Sequence, residues 1–282
     1  MAKSPSLDNL RKRLDKIDGA LHALLVERAQ ISLEVAKAKR ADLAAGRSIL
    51  RPAREAELVR RLLSLPSEPL PAPTTHRIWR EIIGASAWLQ SPFTVAVTGG
   101  AQAQSAAAGL YGAIVPITYF ETPQHVLRSL TTGKAQIGVL PDPAGDPWWN
   151  GLLEDGFTDL KIVGRLPFLV DGNAKSGRFV IVGAIELQGT GADQSYLGFL
   201  CPREVSAGTL STQLQKSGLA GRRIASAPAK SSAFAYLAEI DDYVGPNDAR
   251  LAALASAMGR AQAQILVLGA CPNPILLGSA KG

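Results

Sequence analysis

An apolar repeat near the start of the chain places the strongest constraint on its fold. Apolar residues recur in steps of three and four, and Arg28 interrupts the series. The series consists of Leu7, Leu10, Leu14, Ile17, Leu21, Leu24, Ile31, Val35 and Ala38. This spacing predicts one helix over residues 7–40, roughly 50 Å long at 1.5 Å per residue. Such a helix is longer than a compact domain of this size supports, so we expect a partner chain to pack against it.

Two shorter helical segments are predicted after the long helix. Pro52 can begin a helix because a proline in the first turn needs no N–H donor. A later periodic segment ends before Ser91 and Pro92. The predicted elements are a loop at 41–50, a helix at 52–65, a Pro/Ser-rich connection at 66–73 and a helix at 78–89. Residues 1–91 are therefore predicted to form an all-helical domain of three helices.

After residue 92 the pattern changes to short β-rich segments. Residues 93–97 are followed by Gly99, Gly100 and an alanine-rich helical pattern, which gives the order strand, glycine turn, helix. Further strands are predicted at 114–120, 136–140, 160–166 and 178–183. Residues 92–190 are therefore predicted to be an α/β domain.

The last part of the chain has a different order of elements. From Tyr196 onward this order is βαββαβ, which fits a ferredoxin-like sandwich over residues 191–282. The predicted elements are strands at 196–200, 223–227, 234–240 and 265–268 and helices at 207–217 and 248–263. The expected fold class is thus multidomain, with one α domain followed by two domains that mix helices and strands.

The basic excess of the chain lies in its first third. The formal net charge of the 282 residues is +6, and residues 1–91 hold 16 Lys and Arg against 10 Asp and Glu, whereas the remainder holds 14 of each. These cations alternate with acids along the helices and lack interleaved aromatics. We therefore predict a small anionic substrate and no nucleic-acid partner.

Composition also argues against several other classes of protein. No apolar run reaches the roughly 18 residues that cross a bilayer, and no apolar segment follows Lys3, so we expect no membrane partner and a cytoplasmic location. Two cysteines cannot form a disulfide framework in a chain this long. Three histidines without metal-ligand spacing predict no metal.

Arg28 and Lys39 are the first candidate site residues. They lie about 20° apart in azimuth and roughly 16 Å apart along one helix, so two long cationic side chains can close on one small anion. The alternative is that Arg28 pairs with a core glutamate of a neighbour, such as Glu27, and that Lys39 is solvated. Arg11 lies about 25 Å from Arg28 and some 100° away, so both can serve one site only from different chains.

Two further pairs are candidates of the same kind. Ser86 and Gln90 are four residues apart on a predicted helix, which places a hydroxyl and an amide on one face. Arg54 and Glu55 stand near the start of the second helix, where a glutamate also interacts favourably with the helix dipole. Each pair alone is weak evidence.

Taken together, these positions resemble the all-helical, AroQ-type chorismate mutases. The resemblance covers residues 7–91, and its motifs are Leu10-Arg11 with Ile17-Asp18, Leu24 to Arg28, Val35 to Lys39, Arg54-Glu55, and Ser86 with Gln90. One position departs from the family, because Arg51 stands where an aspartate is common. The family implies intertwined homodimers in which the long helix is shared.

The resemblance also implies residue roles for a rearrangement of chorismate to prephenate in aromatic amino acid biosynthesis. Arg11 of the partner chain, Arg28 and Lys39 would bind the two carboxylates and the ether oxygen. Arg54 and Glu55 would frame the ring and its hydroxyl, Ser86 would assist a carboxylate, and Gln90 would donate to the ether oxygen. Lys39, Gln90, Glu55 and Arg28 are thus the implied catalytic residues. This pericyclic isomerisation uses no covalent intermediate and no cofactor.

The rest of the chain resembles, less closely, the prephenate dehydratase and ACT regions of bifunctional chorismate mutase/prephenate dehydratases. The catalytic threonine of that dehydratase would fall at Gly177, and its Glu-Asn-Ser element is absent after Pro141. Ala225 and Ala227 replace the Glu and Arg of the phenylalanine-binding ACT element. We therefore expect dehydratase activity to be lost, with the ligand of this region open.

A second class of function competes with catalysis. Both parts of the chain would then form a non-catalytic regulatory or ligand-sensing partner of aromatic-pathway enzymes. That alternative predicts binding of a ligand or protein without turnover of chorismate.

Overall fold

The computed structural model describes residues 6–45, 48–154, 156–171, 178–230, 234–259 and 262–277. Four helices come first. They are α1 (Leu7–Ala38), α2 (Arg40–Ala44), α3 (Pro52–Leu63) and α4 (Ala72–Gln90). The prediction of a loop from residue 41 is wrong at its start, because Lys39 caps α1 with its backbone N–H and the chain enters α2 at once.

Helix α4 begins earlier than the sequence pattern predicts. Pro71 occupies the N-cap position in an extended conformation, and its carbonyl accepts from the N–H of Thr75 over 3.1 Å. Pro73 then lies within the first turn, where proline is tolerated because its missing N–H would have no partner. The prolines at 71 and 73 therefore start the helix instead of extending the predicted connection.

One nine-stranded sheet runs through the rest of the molecule. The strands of this part, including a separate two-stranded pair, are β1 (Val95–Val97), β2 (Ile117–Tyr119), β3 (Ile137–Pro141), β4 (Lys161–Leu166), β5 (Leu169–Asp171), β6 (Phe179–Gly183), β7 (Asp193–Cys201), β8 (Gly221–Ala227), β9 (Phe234–Ile240), β10 (Gln264–Pro272) and β11 (Ile275–Leu277). The order in the large sheet is β2-β1-β3-β6-β4-β10-β7-β9-β8, and β5 pairs with β11. Strand β1 pairs in parallel with both β2 and β3, which gives this end of the sheet an α/β character.

Helices cover both faces of the sheet. They are α5 (Gly100–Tyr111), α6 (Pro123–Thr131), α7 (Gly151–Glu154), α8 (Ala207–Lys216) and α9 (Ala249–Ala257), with a 3₁₀ turn at Pro147–Asn150. Neighbouring residues of β1 point to opposite sides, so Val95 and Val97 pack with α5 whereas Ala96 packs with α6 and the buried Trp149. Residues 123–131 and 147–154 are helical elements that the sequence analysis did not predict.

The last four strands of the large sheet follow the βαββαβ order that the sequence predicts. They are arranged β10-β7-β9-β8, so the first and third strands of that unit, β7 and β9, lie at its centre. Strand β10 continues the sheet into the α/β part by pairing with β4 between Gly269 and Ile162. A side chain at Gly269 would lie 2.1 Å from the Ile162 carbonyl oxygen, so only glycine permits this junction.

Within the described residues, no helix is long and apolar enough to span a membrane.

Candidate functional site

A cavity of about 580 Å³ lies between the helices and reaches the α/β part of the chain. Its polar lining comes from every long helix of the first domain. These polar residues are Arg28, Ser32, Lys39, Arg51, Arg54, Glu55, Ser86, Gln90 and Gln188. Six of the seven residues predicted from the sequence, all except Arg11, therefore line one cavity.

Arg28 connects α1 to α4 at the wall of this cavity. Its guanidinium donates to the hydroxyl of Ser86, and also to the carbonyl of Ile82 over 3.4 Å. Burial lowers the pKa of Arg28, because removal from water disfavours the charged form. Within one chain its described hydrogen-bond partners are thus neutral oxygens, and pairing with a glutamate of a neighbour, such as Glu27, stays a prediction.

Ser86 and Gln90 lie on the same face of α4, as their spacing predicts. The Ser86 hydroxyl donates to the Ile82 carbonyl over 2.8 Å, and the Gln90 amide donates to the Ser86 carbonyl over 3.1 Å. An amide nitrogen carries two hydrogens, so Gln90 retains a second N–H for a ligand in the cavity.

Glu55 is held in place by a buried arginine that the sequence analysis did not single out. Its Oε2 atom accepts from Nη2 of Arg80 over 2.9 Å, with side-chain exposures of 20% and 3% for the two residues. Arg80 lies three residues before the buried Ile83, on the inward face of α4. An arginine three residues before an apolar residue of the same helix was the signal in the sequence that could have indicated a buried cation.

The charges around the cavity are unbalanced. Lys39 follows the end of α1, Arg51 is the N-cap of α3, and Arg54 lies in the first turn of that helix. Together with Arg28 they oppose Glu55 alone, since no other carboxylate of the described residues lines the cavity. Because Glu55 is already paired with Arg80, the site favours an anionic ligand.

Three of the polar lining residues, Ser32, Arg51 and Gln188, fall outside the predicted set. Arg51 was recognised in the sequence as a departure whose role stayed open, and it faces the cavity. Gln188 follows β6 in the loop that leads to β7, so the α/β part contributes to the wall directly. No local sequence pattern links Gln188 to the helices, because this contact is made only by the tertiary fold.

Arg11 lies outside the cavity. Its side chain is 67% exposed and contacts Asp8 at 3.8 Å, one helical turn away. The apolar repeat around it is also exposed, with Leu14 at 59% and Leu21 at 53%. Within one chain, this half of α1 therefore has no packing partner among the described residues.

The described residues contain no group of three or more His, Cys, Asp or Glu side chains arranged to hold a metal ion.

A helical domain with a cationic, partly apolar cavity is suited to binding a small organic anion. Residues 10–91 match the family model of chorismate mutase type II. Over this segment the chain is thus similar to chorismate mutase type II domains. The match coincides with the segment of α1, α3 and α4 that builds the cavity.

Two curated relatives share a longer stretch with this chain. The bifunctional chorismate mutase/prephenate dehydratase of Pseudomonas aeruginosa is 33% identical over 145 residues, and that of Stutzerimonas stutzeri is 31% identical over 145 residues. Each alignment covers 50% of this chain and 40% of the relative. The aligned stretch is longer than the helical domain, so the similarity continues into the α/β part.

Among solved structures, prephenate dehydratase from Streptococcus mutans aligns with 66% of this chain and 100% of its own. The sequence identity is 14% and the TM-score 0.47.

Proposed function

We propose that this protein is a chorismate mutase that converts chorismate to prephenate in aromatic amino acid biosynthesis in the cytoplasm. The observation that carries the proposal is the presence of Arg28, Lys39, Arg54, Glu55, Ser86 and Gln90 around one cavity. Chorismate carries two carboxylates and one ether oxygen, and the cations of the cavity are opposite in sign to the two carboxylates. The volume is typical of a small-molecule site.

The rearrangement needs a fixed substrate conformation more than it needs a reactive side chain. One ether C–O bond breaks while one C–C bond forms within the same molecule, so no nucleophile, base or cofactor takes part. Apolar side chains such as Ile31, Val35 and Leu58 supply a surface for the ring, and cations on opposite walls supply its orientation.

Charge stabilisation is the second requirement of the reaction. Negative charge develops on the ether oxygen as its bond to carbon lengthens, and a fixed cation beside that oxygen lowers the barrier. We assign this role to Lys39, with the second N–H of Gln90 as a neutral donor. Arg28 and Ser86 would bind a carboxylate, and Arg54 and Glu55 would orient the ring and its hydroxyl.

The proposal includes an intertwined homodimer in which Arg11 reaches the site of the partner chain. The exposed apolar face of α1 supports it, since a stripe of leucines and isoleucines in water is unfavourable unless another surface covers it. A second copy would cover that face and bring a fifth cation to each site.

For the rest of the chain we propose a division into a dehydratase-like unit at 92–190 and an ACT-like unit at 191–282. The strand order β10-β7-β9-β8 supports the second unit. We propose that dehydratase activity is absent, because glycine replaces the expected catalytic threonine at position 177, which lies outside the described residues. Incubation of the protein with prephenate tests this point, and formation of phenylpyruvate at neutral pH would contradict it.

An absorbance assay with chorismate tests the main proposal. Purified full-length protein should consume chorismate, and acid treatment of the product should yield phenylpyruvate, the acid-decomposition product of prephenate. A folded protein that binds chorismate or an aromatic amino acid without turnover would support the ligand-sensing alternative instead.

Lys39→Met and Lys37→Met form a matched pair for the same assay. Both remove one cation from the same end of α1, but only Lys39 lines the cavity. Lys39→Met should lower kcat by about a hundredfold or more, whereas Lys37→Met should behave as the unmodified protein. Equal activity of the two variants would overturn the assignment of Lys39.

A further inference from the structure

The Glu55 carboxylate lies at the boundary between two cavities. One is the large cationic cavity described above, and the other is a cavity of about 40 Å³ between the helices and the sheet. Glu55 lines both, whereas Arg80 lines only the small one. Arg80 thus does not face the proposed substrate, and it contacts the site only through Glu55.

Arg80 is in turn fixed by the α/β part of the chain. Its Nε atom donates to the carbonyl of Leu110 over 2.9 Å, and Leu110 lies in the last turn of α5. One guanidinium therefore joins Glu55 in α3 to a carbonyl at the end of α5. A planar guanidinium bonded at two of its nitrogens has little freedom to rotate, so it fixes the carboxylate that it binds.

The end of α5 is itself held against α4 by close contacts. The backbone of Gly84 approaches the Tyr111 carbonyl so closely that a Cβ atom would lie 1.9 Å from its oxygen. Glu81 accepts from the backbone N–H of Ala113 over 3.0 Å. The carbonyl that anchors Arg80 is therefore held in a rigid interface.

We propose that Arg80 is a positioning residue for the mutase site and that the α/β part, through the Leu110 carbonyl, sets the orientation of the Glu55 carboxylate. This inference rests on the proposed function. It gives the α/β part a role in the mutase reaction that requires no ligand and no dehydratase chemistry of its own.

Arg80, Glu55 and Tyr111 are largely buried, which strengthens the interaction between Arg80 and Glu55. Tyr111 lines the same small cavity, and its pKa is raised by burial and further by the negative charge of Glu55. Without Arg80, Glu55 would lose its only described salt-bridge partner in a half-buried position. The carboxylate would then turn toward the cations of the large cavity and leave the position that orients the substrate.

Steady-state kinetics of the full-length protein with chorismate test the proposal. Arg80→Met should lower kcat by about ten- to hundredfold with a smaller change in KM, because a misplaced orienting group affects the transition state most. Arg80→Lys, which keeps the charge near Glu55 but cannot hold both partners in one plane, should restore part of kcat. An Arg80→Met protein that is folded and retains unmodified kcat and KM would overturn the proposal.

A double-mutant cycle separates positioning from general stability. If Arg80 acts through Glu55, the variant with both Glu55→Gln and Arg80→Met should be no slower than Glu55→Gln alone. If the fold-losses in kcat/KM of the two single variants multiply in the double variant, Arg80 does not act through Glu55.

Arg60→Met supplies the structural control. Arg60 anchors α3 to the sheet part by donating to Thr190 Oγ1 and to the carbonyls of Ala192 and Asn273, but it touches neither Glu55 nor the large cavity. The Arg60→Met substitution should lower the melting temperature but leave kcat and KM within about twofold of those of the unmodified protein. If Arg60→Met reduces kcat as much as Arg80→Met, the effect is general loosening and the proposal fails. Absence of turnover in the unmodified protein would instead refute the proposed function on which this inference rests.

Discussion

Gly84 of α4 lies against the carbonyl of Tyr111 at the end of α5, at a separation that leaves no room for a side chain. An ideal Cβ atom on Gly84 would be 1.9 Å from the Tyr111 oxygen and 2.6 Å from its carbonyl carbon. Because both obstructing atoms belong to the backbone, rotation of a side chain cannot relieve the clash. The helix that carries Ser86 and Gln90 is thus docked directly on the α/β part.

Gly84→Ala should therefore separate α4 from α5 and lower the free energy of unfolding by about 1–3 kcal/mol. Gly109→Ala, in α5 with no atom within 4 Å of the new methyl group, should instead raise it by about 0.5–1 kcal/mol. Urea denaturation of both variants measures the difference. A Gly84→Ala protein as stable as the unmodified one would show that the two helices do not meet this closely.

Arg51 should contribute to substrate affinity more than to the chemical step. It stands at the start of α3 and lines the cavity with Gln188, and no described residue gives it an ion-pair partner. Arg51→Ala should raise KM about fivefold at low salt, with kcat little changed and the difference shrinking as ionic strength rises. Arg61→Ala, on the exposed side of the same helix, is the matched control. A fall in kcat at unchanged KM would instead place Arg51 beside the reacting atoms.

Arg11 and Lys39 should complement each other across the proposed dimer. If each site takes Lys39 from one chain and Arg11 from the other, a dimer of an Arg11→Ala chain with a Lys39→Met chain contains one intact site. When the two variants are mixed in equal amounts and their subunits exchange, about half of the dimers contain one chain of each kind. The mixture should then have about a quarter of the activity of the unmodified protein, because each mixed dimer has one intact site of two. Each variant alone, carried through the same exchange protocol, is the control. No recovery in verified mixed dimers would mean that Arg11 does not serve the partner's site.

Local patterns were sufficient to predict much of the fold. The heptad-like series defined α1 to within two residues at its end, and strand β9 was predicted at its observed bounds of Phe234–Ile240. Helix α6 was missed because its nine residues hold only a few apolar positions, too short a series to define a period. Helix α2 was missed because it follows α1 with only Lys39 between them.

Some residues of the candidate site can be predicted from local sequence patterns, whereas others are brought to the site only by tertiary packing. Arg28, Lys39, Ser86 and Gln90 could be proposed because helical spacing alone places them on common faces. Gln188 could not, since it reaches the cavity from the loop between β6 and β7. The bond between Arg80 and Glu55 also depends on how α3 packs against α4, and a single sequence carries no direct record of that packing.

His76 of α4 should make the stability of the protein depend on pH. Burial, together with the positive charge of Arg80, lowers the pKa of His76 to about 4, and its Nε2 atom has no hydrogen-bond partner among the described residues. In the unfolded chain the imidazole has a pKa of about 6.5, so between these two values the unfolded state binds more protons. The contribution of His76 to the free energy of unfolding is therefore complete above about pH 6.5 and decreases as the pH falls toward 4. The decrease is on the order of 2 kcal/mol in total, less than the full pKa shift implies, because water screens this partly exposed group. Urea unfolding at a series of pH values measures this slope, and His76→Asn should flatten the part of it between pH 4 and 6.5. A slope that His76→Asn leaves unchanged would mean that other groups produce the acid sensitivity and that the imidazole is not kept neutral by its position beside Arg80.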